Sequence, residues 1–129
     1  LATVPDFQLS KTAQQSQHAY YVLPIRIVKH YHRRGIWLDS LMEMGVPGLM
    51  AGYVNVHRLP MYEKKVAFGK SYPWNMAHRK IEYGAGLCPV AEKLKGESFV
   101  GFLISMYELT DQECEFIAHS MVNTWNELS

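Results

Sequence analysis

Eight residues of an otherwise irregular stretch place an imidazole, a guanidinium and a phenol side by side: Asn55-Val-His57-Arg58-Leu-Pro60-Met-Tyr62. A proline fixes the turn. Such a loop can present hydrogen-bonding groups to an anionic or polyhydroxylated ligand. The competing reading is an ordered surface loop with a partly buried histidine. Other chemistry-bearing residues give less. His30-x-His32 offers two imidazoles, but neither cysteine lies in a Cys-x-x-Cys pair, so no metal site is expected. Cys88 precedes Pro89 and reads as a helix-cap position rather than a nucleophile. Gly84-Ala-Gly86 is too short for a phosphate-binding fingerprint, and no Gly-x-Ser-x-Gly elbow occurs. No catalytic residue is assigned.

The elements that must position the 55–62 loop follow from pattern. Residues 1–18 are polar and Gln-rich and read as an irregular lead-in. Residues 19–28 are β-branched and aromatic and predict a strand, with Pro24 marking an edge or a bulge. Ile36 to Met44 predicts a short helix ended by Gly45. Residues 46–86 predict a long loop with one short strand at 52–56, and a loop of that length is usually functional or docked against something else. Pro89 begins a short helix over 88–95, which Gly96 should end. Residues 98–106 are apolar on both faces and predict a central, buried strand.

The last helix is the clearest. Thr110-x-x-Glu113 is a capping box, with Leu109 placed to pack on Cys114. Apolar residues recur at 114, 117, 118, 121, 122, 125 and 128, which puts Cys114 on the buried face as an apolar thiol. The resulting fold class is α+β, a small sheet packed by helices on one face.

Composition bounds the function. The chain has 129 residues, 48% of them hydrophobic and 19% charged, which suits a packed core rather than disorder. Thirteen Lys and Arg against twelve Asp and Glu leave a formal charge of +1, which argues against a nucleic-acid partner. Two cysteines fit a reducing compartment, and no apolar run approaches the roughly 20 residues of a membrane span. A cytoplasmic protein without a membrane partner is expected. The first residue is Leu rather than Met, which suggests a fragment or a processed chain.

Four ordered segments resemble the C-terminal, small domain of the DegT/DnrJ/StrS-type sugar aminotransferases. Tyr20-Tyr-Val-Leu-Pro-Ile-Arg-Ile resembles the strand that opens that domain. The segment from Gly52 to Tyr62 resembles the family's PLHxxPxY loop, with Asn55 where the family has proline. Cys88-Pro-Val-Ala-Glu92-Lys-Leu resembles the CPxAExL helix. Phe102 to Glu113 resembles the closing strand and capped helix. The stretch from Ala67 to Trp74 resembles the branch acting on sugars or cyclitols that carries a long loop here.

The resemblance covers residues 19–129 and implies the small domain of the aspartate-aminotransferase fold. It implies substrate contact by His57, with Tyr62 as a second candidate. It also implies pyridoxal phosphate, bound mainly by a large domain outside this chain, and a homodimeric full-length enzyme. That enzyme would move an amino group from an amino acid, Glu or Gln, to a keto-sugar (nucleotide-linked) or a keto-cyclitol. No lysine here has the context of the family's Schiff-base lysine, so this segment alone is expected to be inactive. Two alternatives stay open: a same-family sugar dehydratase, and a stand-alone, non-catalytic α+β binding module.

Overall fold

The computed structural model describes residues 1–128 and divides into two compact units, 1–52 with 97–128, and Tyr53–Gly96. The first unit carries a four-stranded antiparallel sheet, so the molecule is a small α+β fold. The strands are β1 (Phe7–Leu9), β2 (Leu23–Ile27), β3 (Leu49–Met50) and β4 (Phe99–Phe102), in the order β1-β2-β4-β3. Alternation sets the buried face. Ile25 and Ile27 of β2, with Val100 and Phe102 of β4, enter the core while Arg26 stays exposed.

Helices α1 (Arg34–Glu43) and α4 (Asp111–Glu127) pack against each other and complete this core. Its centre is aromatic. Phe7 lies 5.0 Å from both Trp37 and Trp125, and the two indoles meet edge to face at 5.3 Å. Each buried indole finds an acceptor: Trp37 donates to the Met121 carbonyl at 3.0 Å, and Trp125 to Asp6 at 3.2 Å. Asp6 also holds His30 at 2.8 Å.

The ends of the two long helices follow local chemistry. Gly45 takes φ +84, and the N–H groups of Gly45 and Val46 return to the carbonyls of Met42 and Leu41, which closes α1 in a Schellman motif. At α4 the capping box forms in full. Glu113 N–H donates to the Thr110 hydroxyl oxygen at 3.3 Å, and the Glu113 carboxylate accepts from Thr110 N–H at 2.8 Å. Thr110→Ala is expected to lower stability by about 1 kcal/mol, read as a shift of the urea midpoint at unchanged m.

Several expectations change. The lead-in contributes β1, which pairs with β2, and Val4, Asp6 and Phe7 are buried. β2 is therefore an interior strand, and Pro24 sits opposite Gly101 of β4. The β1 ladder stops at Ile25, which leaves Pro24 open on that flank. The strand expected at 52–56 is instead β3, two residues long and earlier in the chain. β4 is central, as its apolar faces require, but ends at Phe102, and Ile104–Met106 form a 3₁₀ turn. Gly96 does not stop the 88–95 helix, because the chain runs through it in a π turn, Leu94–Ser98. Cys114 is exposed rather than buried. It sits in the first turn of α4, and the helix first turns a residue into the core at Ile117. Cys114 and Leu109 do line one shallow apolar recess together.

The second unit carries two short helices, α2 (Pro60–Glu63) and α3 (Pro89–Lys93), and two 3₁₀ turns, Val56–Arg58 and Trp74–Met76. Among the described residues no helix is long and apolar enough to cross a membrane.

Candidate functional site

The second unit holds the loop that the residue types single out. Pro60 restricts the residue before it, and Leu59 is accordingly extended at φ −68, ψ 139. That extended residue separates the 3₁₀ turn Val56–Arg58 from α2, where Pro60 takes the first helical position. The turn buries His57, which keeps 8% of its surface exposed.

A buried imidazole needs a partner for its ring N–H. Glu92 of α3 supplies it: His57 Nε2 lies 2.8 Å from Glu92 Oε1. The same carboxylate accepts Gly86 N–H, 2.9 Å from each oxygen, and Cys88 N–H at 3.2 Å. These are open donors around the start of α3, and a carboxylate one turn into the helix reaches back to them. Gly86 adopts φ +87, a conformation that an L side chain would strain. Glu92 thus ties the 84–88 turn, the start of α3 and the 55–59 turn into one hydrogen-bonded unit.

The electrostatics follow from those bonds. The Gly86 N–H, then the His57 ring, hold the Glu92 carboxyl below its ordinary value; burial opposes them, and the Cys88 N–H adds a lesser lowering effect. A carboxylate accepts only, so neutral His57 carries its proton on Nε2. Nδ1 makes no hydrogen bond among the described residues and is left as an acceptor for a ligand.

A lowered carboxyl value means the unfolded chain takes up the proton first on acidification. The stabilisation from Glu92 is therefore present above the carboxyl's unfolded value and is lost as pH falls through its lower folded value. Carbon-detected NMR titration of Glu92 is expected to give a midpoint below that of an unperturbed glutamate. A midpoint at or above the ordinary value would contradict the geometry.

The other candidates are placed differently. Arg58 is drawn off by Glu63, its Nε 2.5 Å from the carboxylate. Tyr62 joins an aromatic cluster rather than bonding to His57. Its ring lies 6.0 Å from Trp74, edge to face, and 5.3 Å from Tyr83. Cys88 takes the N-cap position of α3, but its side chain makes no capping bond. The rings of His30 and His32 are 6.3 Å apart, and among the described residues no three His, Cys, Asp or Glu side chains are grouped to hold a metal ion. Glu92 is the partner of His57 that residue-type reasoning left unassigned. Its signal was a glutamate four positions after Cys88 in a proline-started helix.

Pyridoxal phosphate chemistry requires a lysine amine held out of water, poised to form an imine. The lysines of this chain do not fit. All except Lys65 are exposed, and Lys65 is bound to the Glu82 carboxylate at 2.8 Å. No protein-family model matches the chain, and neither the curated proteins nor the solved structures contain a match to it.

Proposed function

We propose that this chain is the small domain of a pyridoxal-phosphate-dependent aminotransferase of the DegT/DnrJ/StrS type, acting on a nucleotide-linked keto-sugar or a keto-cyclitol. The observation that carries the reading is the His57–Glu92 bond. It joins the PLHxxPxY-like loop to the CPxAExL-like helix, two segments that the resemblance identified independently and that lie 35 residues apart. The small sheet under helices is compatible with the small domain of the aspartate-aminotransferase fold. The Schiff-base lysine and the cofactor site are assigned to a large domain outside this chain, and the working enzyme is a cytoplasmic homodimer.

In this reading His57 contacts the substrate. Glu92 fixes the ring, and the Nδ1 lone pair accepts from a sugar or cyclitol hydroxyl. Tyr62 acts through the aromatic cluster as a second contact. The second unit also exposes apolar side chains, Phe68 at 82%, Val90 at 73% and Met76 at 72%, as expected of a surface that other protein covers.

The test is amino-group transfer by the full-length protein. With ¹⁵N-labelled glutamate or glutamine and a panel of nucleotide-linked keto-sugars and keto-cyclitols, the label is expected in the sugar or cyclitol product. Loss of water from the sugar without label transfer would instead identify the dehydratase reaction. Neither reaction across the panel would favour the stand-alone binding module.

A further inference from the structure

The second unit holds a cavity that His57 does not line. It has a volume of about 350 Å³, near the lower end of small-molecule sites (roughly 300–1,000 Å³). Trp74 and Tyr83 form its aromatic wall, and Tyr62 backs both rings. Lys65, Arg79, Lys80 and Glu82 supply its charge. Lys65 pairs with Glu82 at 2.8 Å, the charge of Lys80 also acts on that carboxylate, and neither Arg79 nor Lys80 forms a salt bridge among the described residues.

The chain as a whole is close to neutral at +1, yet five of its thirteen Lys and Arg fall between positions 63 and 82, against two carboxylates. Positive charge is therefore concentrated in the segment that lines this cavity. An exposed guanidinium and ammonium lining one cavity with a tryptophan suit one kind of ligand: a compact anion joined to a ring. Guanidinium binds phosphate oxygens in bidentate fashion, ammonium adds a point charge, and the aromatic wall takes a sugar or base face.

We propose that this cavity binds the phosphate monoester of a small ring compound, with Arg79 and Lys80 holding the phosphate and Trp74 and Tyr83 the ring. The site does not require the aminotransferase reading, although Tyr62, the second substrate contact of that reading, backs the same aromatic wall. Its size admits a ring and one phosphate and excludes a folded polymer.

Calorimetric titration of the full-length protein tests it with inorganic phosphate, ribose 5-phosphate, AMP and adenosine. Ribose 5-phosphate or AMP is expected to bind more tightly than phosphate, and whichever of the two binds better identifies the preferred ring. Adenosine should bind roughly tenfold or more weaker than AMP, and added salt should weaken the phosphate esters. Arg79 and Lys80 are exposed, so Arg79→Gln and Lys80→Gln should leave the far-ultraviolet circular dichroism unchanged, and each should weaken binding about tenfold. Trp74→Ala should remove the preference for the esters over phosphate. The proposal is overturned if none of the phosphates binds, if adenosine matches AMP, or if both charge variants bind like the parent.

Discussion

Trp125→Ala is expected to remove about 3–5 kcal/mol of stability, a large share of the roughly 5–15 kcal/mol of a typical domain. Trp125 is 1% exposed and sits between Phe7 and Trp37, in the contact that joins β1, α1 and α4. Its loss opens a cavity where β1, α1 and α4 meet. The substitution also removes one of the two donors to the Asp6 carboxylate, which His30 still holds. Trp125→Phe separates these effects. It keeps most of the ring volume and gives up the hydrogen bond, and should lose about 1–2 kcal/mol less than the alanine variant. Urea denaturation followed by circular dichroism measures both. An alanine variant within about 1 kcal/mol of the parent would mean that the three-ring cluster is not the centre of the core.

The second large effect concerns function. In the full-length protein, His57→Ala is expected to raise KM for the keto-substrate about tenfold or more, because a hydrogen bond to a fixed ring is lost. The KM for the amino-acid donor should stay within about threefold, since His57 is assigned to the sugar or cyclitol and not to the donor. Glu92→Gln should fall between the parent and His57→Ala. Glutamine keeps one acceptor oxygen for the ring and drops the charge that gathers the Gly86 and Cys88 N–H groups. Cofactor content and far-ultraviolet circular dichroism, unchanged in both variants, separate a substrate effect from misfolding. Equal rises in both KM values, or no rise in either, would remove His57 from the substrate contact.

Much of this architecture is legible in the chain. Helix α4 announces itself through Thr110 and Glu113, because a capping box is a local arrangement that needs no distant partner. The stop at Gly45 is local in the same way, and β4 reads as central because its residues are apolar on both faces. What escapes is tertiary. β1 is three residues long within a polar stretch, and only its pairing with β2 and the burial of Phe7 under two tryptophans make it a strand. Cys114 fits the apolar period of α4, but that helix meets the core only from Ile117 onward, so periodicity alone places the thiol wrongly. At the site, His57 is legible as a loop residue of chemical interest, while its partner is not. Glu92 lies 35 positions away, and its carboxylate matters because the fold brings the Gly86 turn and the His57 turn to it together.

We propose this chain as one domain of a pyridoxal-phosphate enzyme whose reactive lysine lies elsewhere in the polypeptide. The most direct measurement is the cofactor content of the full-length protein, purified intact and read by visible absorbance and mass spectrometry. Protein-bound pyridoxal phosphate is expected in stoichiometric amount, attached to a lysine outside these 129 residues once the imine is reduced. A full-length protein with no cofactor, or with the cofactor on Lys65 or another lysine of this chain, would contradict it.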